Sequence, residues 1–199
     1  MDHYFTIEKA STAEFKVRGS KFIAHAFPLE SAEGFKKMLL QLKKEHPKAV
    51  HHCFAYRLGI TGNNFRVNDD GEPSGTAGKP ILGQIDSKKL TNTAIIVIRY
   101  FGGTLLGVPG LINAYKTASS LVLQTVAIVQ KQVEIPYILH FNYSDVNEMM
   151  KLIKQYNCTI VEQELQLFPY IKLKIPMSRL EEMIYRLQDL RNVKFEKIV

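Results

Sequence analysis

Apolar positions in the last third of the chain alternate between a strand period and a helix period. Residues 146–153 and 180–187 carry apolar side chains at the i, i+3, i+4, i+7 spacing of helices. Four short segments between and around them are predicted as strands: 137–143, 158–167, 170–175 and 193–199. The resulting order is βαββαβ, which is the ferredoxin-like split βαβ arrangement. No catalytic constellation stands out in this segment.

The earlier part of the chain has a mixed pattern. We predict a strand pair that turns at residues 18–19, a helix capped by Ser31 and a strand over 50–58. Residues 94–98 form a continuous apolar run, which is typical of a strand covered on both faces. A helix over about 111–126 follows. These elements predict an α+β domain with its helices on one face of a sheet.

Glycine separates these two parts of the chain. All 12 glycines lie at or before Gly110, and Pro136 marks the start of the second domain near residue 135. We therefore predict two domains, with boundaries 1–134 and 135–199.

Composition places the chain among folded globular proteins. The 199 residues are 46% hydrophobic and 23% charged, and no apolar run reaches the roughly 18 residues of a membrane span. The first ten residues lack a signal-peptide pattern. Cys53 and Cys158 are too far apart in sequence to suggest a disulfide framework. A cytoplasmic protein with no membrane partner is expected.

Positive charge is concentrated in the first two thirds of the chain. Residues 1–136 hold 17 Lys and Arg against 11 Asp and Glu, a net charge of +6. Residues 137–199 hold nine against eight, a net charge of +1. This distribution permits attraction to nucleic acid or another polyanion through the first domain.

The segment 99–103, Arg-Tyr-Phe-Gly-Gly, has the clearest chemical logic. A buried strand delivers Arg99 to its end, the glycines permit close backbone approach, and a helix N-terminus follows. Together these features can hold a phosphate, with Lys79 and Lys116 as further candidates. The alternative is a tight turn at the glycines and an Arg99 that pairs with a carboxylate. Neither a Walker A motif nor a G-x-G-x-x-G pattern is present.

The polar loop 68–80 and the residues around position 52 offer acid–base groups. His52, Asp70 and Glu72 are the candidate catalytic residues. His51 and His52 are adjacent on a strand and point to opposite faces, so they do not easily share a metal ion. We predict no bound metal and no cofactor. Cys53 is interpreted as a small buried hydrophobe.

Three stretches occur in order: His-His-Cys at 51–53, the loop Asn-Asp-Asp-Gly-Glu-Pro-Ser-Gly-Thr-Ala-Gly-Lys-Pro at 68–80, and Ile-Arg-Tyr-Phe-Gly-Gly-Thr-Leu-Leu-Gly at 98–107. Together they resemble the IMPACT family, specifically its bacterial YigZ-like members. The resemblance covers about residues 1–125, and the βαββαβ segment fits the small second domain of those members. The positions that match the family motif are His51, His52, Asp69, Asp70, Gly71, Glu72, Pro73, Gly75, Thr76, Ala77, Gly78, Lys79, Pro80, Arg99, Tyr100, Gly102, Gly103 and Gly107.

The resemblance implies a fold for each domain. Residues 1–134 are expected to resemble domain 2 of a small-subunit ribosomal protein. Residues 135–199 are expected to resemble a ferredoxin-like domain of a translocation elongation factor. The expected fold class is therefore α+β, a ribosomal-protein domain-2-like domain followed by a ferredoxin-like one.

The resemblance also implies a role in translation. Eukaryotic relatives regulate translation initiation through protein–protein contact, and RNA or ribosome binding is inferred for bacterial members from their fold. The leading hypothesis is a translation-associated regulatory or binding protein that binds RNA or the ribosome through its first domain. The residues expected to bind the nucleic acid are Lys79, Arg99, Tyr100, Gly102, Gly103 and Lys116, with Tyr100 or Phe101 as the ring that stacks on a base.

Two other functions stay open. One is a hydrolase that acts on a phosphorylated or nucleotide-like small molecule, because polar residues on loops around glycines offer chemistry that a scaffold does not need. The other is a protein–protein adaptor, in which the second domain docks a protein of the translation machinery. The oligomeric state is not determined by the sequence.

Overall fold

The computed structural model describes residues 2–61 and 63–198. The chain folds into two compact units. Residues 4–131 form the first unit, and the chain from residue 132 onward, joined by the start of the chain, forms the second. Both units combine helices with antiparallel sheet, which confirms the predicted mixed α+β class. The division lies close in sequence to the predicted boundary after residue 134.

The first unit is built around a five-stranded antiparallel sheet with the strand order β2-β3-β6-β4-β5. A separate two-stranded sheet joins β1 and β7. The elements are β1 (His3–Ile7), β2 (Ser11–Val17), β3 (Ser20–Pro28), α1 (Ala32–Glu45), β4 (His51–Leu58), β5 (Asn64–Asn68), α2 (Gly78–Ser87), β6 (Thr93–Tyr100), α3 (Gly107–Gln124) and β7 (Ile128–Gln132).

Helices cover both faces of this sheet, so the prediction that they share one face is wrong. Phe35 of α1 packs against Phe54 and Tyr56 of β4, with ring centroids 4.6 and 4.8 Å apart. The alternating residues Cys53 and Ala55 of the same strand belong to the core cluster formed with α2 and α3. Because successive strand residues face opposite ways, β4 has a buried surface on each side.

The apolar run in β6 is also explained by burial on both faces of the sheet. All of residues 93–99 are buried, which confirms the prediction of a strand covered on both faces. The predicted cap of α1 is also confirmed, since the Ser31 hydroxyl accepts a hydrogen bond from the Gly34 amide at 3.1 Å. The helix α3 begins at Gly107, earlier than predicted, and ends at Gln124.

The second unit has its six main elements in the predicted order. Its four-stranded antiparallel sheet has the strand order β11-β8-β10-β9. One face of the sheet and both helices enclose a core that includes Leu139, Ile171, Leu173, Met183 and Leu187. The elements are β8 (Glu134–His140), α4 (Val146–Gln155), β9 (Thr159–Glu164), β10 (Tyr170–Pro176), α5 (Leu180–Gln188) and β11 (Lys194–Lys197).

Within the described part of the chain, no helix has the length and apolar character needed to cross a membrane.

The turn between β2 and β3 packs against the segment that follows β6. The Gly102 amide donates to the Ser20 hydroxyl at 3.2 Å. A Cβ at position 102 would lie far inside contact distance of the Gly19 carbonyl carbon and the Ser20 amide nitrogen. Glycine at 102 is therefore required by close backbone packing.

This packing predicts opposite effects for the same substitution at two glycines. Gly102→Ala should lower the free energy of unfolding by about 1–3 kcal/mol, because backbone atoms must move to admit the methyl group. Gly83→Ala, on α2 where an added Cβ meets nothing within 4 Å, should raise it by about 0.5–1 kcal/mol. Urea denaturation of both variants measures this, and a destabilised Gly83→Ala with an unaffected Gly102→Ala would contradict it.

Candidate functional site

Strand register brings Arg99 and His51 side by side at one end of the large sheet. Arg99 of β6 is paired with His51 of β4 on one side and with Phe22 of β3 on the other. Side chains at paired positions point to the same face of a sheet. All three therefore lie on the face that α2 and α3 cover.

The Arg99 guanidinium is buried in an ion pair with Glu72. The Arg99 Nη1 to Glu72 Oε1 distance is 2.7 Å, and the two residues are only 5% and 8% exposed. The Tyr115 hydroxyl donates to the same carboxylate oxygen at 2.7 Å. Rings of Phe22 and Phe101 lie 5.5 and 5.6 Å from the guanidinium carbon. Of the two alternatives left open by the sequence, pairing with a carboxylate is the one observed.

Asp69 holds the polar loop against the start of α2. Its carboxylate accepts hydrogen bonds from the amides of Gly75, Ala77 and Gly78 at 2.8–3.0 Å. Burial by itself would raise the pKa of Asp69, but these amides and the charge of Lys79 hold that pKa below its usual value. The helix α2 has no side-chain cap of its own, so Asp69 caps it from nine residues upstream of Gly78.

Asp70 forms hydrogen bonds with His51 and His52 through two different groups. Its carbonyl oxygen is 2.7 Å from His51 Nδ1, and its carboxylate accepts from the His52 amide at 2.6 Å. A carbonyl oxygen can only accept, so Nδ1 of His51 carries the proton. In the neutral ring the other nitrogen, Nε2, is then a hydrogen-bond acceptor, and it lies 3.8 Å from Glu72 Oε1.

His52 and Tyr100 lie on the opposite face of the sheet, toward α1. Burial lowers the pKa of His52, and the charge of Lys43 lowers it further. The Tyr100 hydroxyl is 2.9 Å from His46 Nδ1 at the end of α1. Alternation along β4 and β6 thus separates His52 and Tyr100 from the side chains of His51 and Arg99.

Cys53 and Tyr115 are buried beside the ion pair and stay protonated. The Cys53 sulfur lies 3.3 Å from the Tyr115 hydroxyl and 3.0 Å from the Asp69 carbonyl oxygen. Burial raises the pKa of the Cys53 thiol and the pKa of the Tyr115 phenol. Neither group is therefore activated as a nucleophile.

A cavity of about 420 Å³ opens above His51, Glu72 and Arg99. This volume is in the range of small-molecule sites. The polar side chains form its floor, and the start of α3 forms one edge. Its walls include Phe101, Leu105, Leu106, Val108 and Leu111. The arrangement can bind a flat apolar group and hydrogen-bond to one edge of it. Among the described residues, no cluster of three or more His, Cys, Asp or Glu side chains could hold a metal ion.

The remaining predicted residues lie around this cavity or outside it. Lys79 on α2 and Lys116 on α3 are exposed. The Thr76 hydroxyl donates to the Pro73 carbonyl oxygen within the loop at 2.7 Å. Gly78 packs against the Asn68 backbone. Four motif glycines have positive φ angles: Gly71, Gly75, Gly103 and Gly107, with φ of 91°, 77°, 82° and 70°.

Sequence reasoning missed the part that Tyr115 plays in the site. It placed Tyr115 on the buried face of a helix, where its hydroxyl requires a hydrogen-bond partner. That requirement is the signal that could have connected α3 to a carboxylate. Nothing in the sequence identifies Glu72 as that carboxylate.

Fold and cavity together define a two-unit α+β protein with a ligand-sized site in its first unit. Residues 18–123 match the family model described as the Impact N-terminal domain. Over 129 residues the chain is 38% identical to IMPACT family member YvyE of Bacillus subtilis, a match that covers 65% of this chain and 59% of that protein. Over 176 residues it is 30% identical to IMPACT family member YigZ of Escherichia coli, covering 87% of this chain and 86% of that one.

A solved structure covers the whole chain. It is a crystal structure of a hypothetical protein with a TM-score of 0.75 and 27% identity, and the match covers 100% of this chain and 98% of that one. The chain belongs to the IMPACT family.

The cap supplied by Asp69 predicts a pH-dependent contribution to stability. Asp69→Asn places an amide NH₂ where the carboxylate accepts, and should lower the free energy of unfolding by about 1–2 kcal/mol at pH 7. The folded-state pKa is lowered, so this contribution is complete above the unfolded value of 3.8 and is lost as the pH falls below it. Denaturation curves between pH 7 and 3 should converge for the two proteins, with the exposed Glu30→Gln as control.

The buried ion pair predicts strong non-additivity. Glu72→Gln or Arg99→Met alone leaves a buried group without its partner and should cost about 3–5 kcal/mol of stability. The double variant should be less destabilised than the sum of the two, with a coupling of about 1–3 kcal/mol. Chemical denaturation of all four proteins gives this coupling, and additive losses would contradict the pairing.

Proposed function

We propose that this IMPACT-family chain is a translation-associated regulatory or binding protein that binds RNA, free or on the ribosome, through residues 4–131. Membership of the family supports the connection with translation control. The proposal also includes a cytoplasmic location, and a protein of the translation machinery as a further partner.

The distribution of charge carries the RNA-binding part of the proposal. The carboxylates of Asp69 and Glu72 are turned inward, where they accept hydrogen bonds from the chain itself. Cationic side chains of the same unit stand at the surface instead. Exposed ones include Arg18, Lys36, Lys44, Lys48, Lys79, Lys88, Lys89 and Lys116. Such a surface attracts the phosphates of a nucleic acid.

The residues that we propose contact RNA differ from those expected from the sequence. Arg99 is buried and paired, so it positions Glu72 and Phe101 and does not reach a phosphate directly. Phe101 is 48% exposed and offers a ring on which a base can stack. Lys79 and Lys116 are the proposed phosphate contacts.

The fold analogies belong to the same proposal. The sheet order β11-β8-β10-β9 corresponds to the order 4-1-3-2 of the βαββαβ elements, and it supports a ferredoxin-like second unit. For the first unit we propose the ribosomal-protein domain-2-like fold that the family resemblance implies.

Charge reversal tests the proposal. The variant Lys79→Glu/Lys116→Glu should weaken binding of single-stranded RNA about tenfold at low salt and reduce the salt slope by about 1.4, since two phosphate contacts are lost. The matched control is Lys151→Glu/Lys154→Glu, which makes the same charge change on α4 of the second unit. Fluorescence titration at several salt concentrations measures both quantities. Equal losses in the two variants, or an affinity independent of salt, would refute RNA binding by the first unit.

One observation favours the hydrolase as a second candidate. His51 presents the acceptor nitrogen Nε2 toward the cavity, where it can take a proton from a water molecule. The buried, protonated Cys53 offers no nucleophile. Turnover of a phosphomonoester that His51→Gln abolishes would favour this candidate.

The adaptor is favoured by a different feature. Leu167 and Phe168, at the tip between β9 and β10, are 86% and 83% exposed. Exposed apolar side chains at a hairpin tip suit contact with a protein partner.

A further inference from the structure

The cavity on the α3 side of the large sheet has a chemically specific floor. Glu72 Oε1 accepts hydrogen bonds from Arg99 and Tyr115, and His51 Nε2 lies 3.8 Å from it. Among the described residues no hydrogen bond reaches the second oxygen, Oε2. Together with His51 Nε2, the floor therefore offers two neighbouring hydrogen-bond acceptors.

The walls are apolar and one of them is aromatic. Phe101 is held by the Arg99 guanidinium at 5.6 Å and is 48% exposed at the cavity edge. Val108 and Leu105 extend the apolar rim and are 50% and 82% exposed. A flat ring with two adjacent N–H donors on one edge complements such a site.

We propose that this cavity binds an unpaired guanine base of RNA, an inference that rests on the proposed function. Guanine carries the ring N1–H and the exocyclic amine side by side, and both can donate to the acceptors of Glu72 and His51. Adenine has a ring acceptor at the corresponding position, and that acceptor would face the carboxylate oxygen. Stacking on Phe101 supplies the sequence-independent part of the binding.

The surface beside the cavity suits the nucleotide that follows the guanosine in the RNA. A second cavity of about 380 Å³ shares Leu106 with the first and is bordered by Arg18 and Asn113. The first turn of α3 contributes to both cavities, with Gly107 in one and Gly110 in the other. Its N-cap residue makes no side-chain cap, and the turn has no acidic residue. A phosphodiester joining two bases can lie over this turn, with Arg18 beside it.

The test uses the full chain and three RNAs. Each is a single-stranded oligouridine with one central substitution by guanosine, adenosine or inosine. The guanosine RNA should bind about tenfold more tightly than the adenosine RNA. Inosine keeps N1–H and lacks the amine, so its affinity should fall between them.

Two matched variants locate the effect. Phe101→Ala should weaken binding of the guanosine RNA about tenfold, while Phe101→Tyr should retain it. The control is Phe65→Ala, because Phe65 is 52% exposed in the same unit and also lies against an arginine, with Arg57 at 5.1 Å. Neither substitution removes a buried side chain, so both variants are expected to fold, and thermal denaturation checks this.

The outcomes separate this inference from the proposed function. RNA binding without preference for guanosine, or equal effects of Phe101→Ala and Phe65→Ala, overturns the guanine site and leaves RNA binding standing. Loss of binding in Phe101→Ala without a base preference would assign the cavity to an apolar group of another partner, which also overturns it. If the unaltered chain does not bind RNA at all, both the guanine site and the proposed RNA-binding function are refuted.

Discussion

A guanidinium that is removed from water must be neutralised, and in this protein Glu72 does this for Arg99 and accepts a hydrogen bond from its Nη1. The pair joins three separate parts of the first unit. Arg99 comes from the end of β6, Glu72 from the polar loop, and Tyr115 from α3. The polar loop, the end of β6 and the start of α3 all line the cavity beside this contact.

The same inward turn of the loop sets the character of the surface. Asp69 caps α2 and Glu72 binds Arg99, so both carboxylates accept hydrogen bonds from within the fold. The positive charge of the first unit is left on exposed lysine and arginine side chains. A loop that looks acidic in the sequence therefore leaves a cationic exterior, which suits a polyanionic partner.

The paired histidines illustrate how a strand divides the chemistry of adjacent residues. His51 faces the cavity, and its tautomer is fixed by the Asp70 carbonyl oxygen. His52 points to the α1 side, where burial lowers its pKa, and it meets Asp70 through its backbone amide and through Nδ1, which lies 4.0 Å from the Asp70 carboxylate. One loop residue thus holds both histidines, yet a single one faces the site. The two histidines are adjacent in sequence, but their side chains lie on opposite faces of the sheet.

The sequence by itself determined the elements whose signals are local. The apolar run of β6 required a strand covered on both faces, and Ser31 marked the start of α1, because periodicity and capping act within a few residues. The helix α2 was missed because its cap, Asp69, lies upstream across a loop. The partner of Arg99 was equally undetermined, since a carboxylate and a phosphate satisfy a guanidinium in the same way. Only the tertiary structure decided between them, by closing the loop over the end of the sheet and placing Glu72 within hydrogen-bond distance.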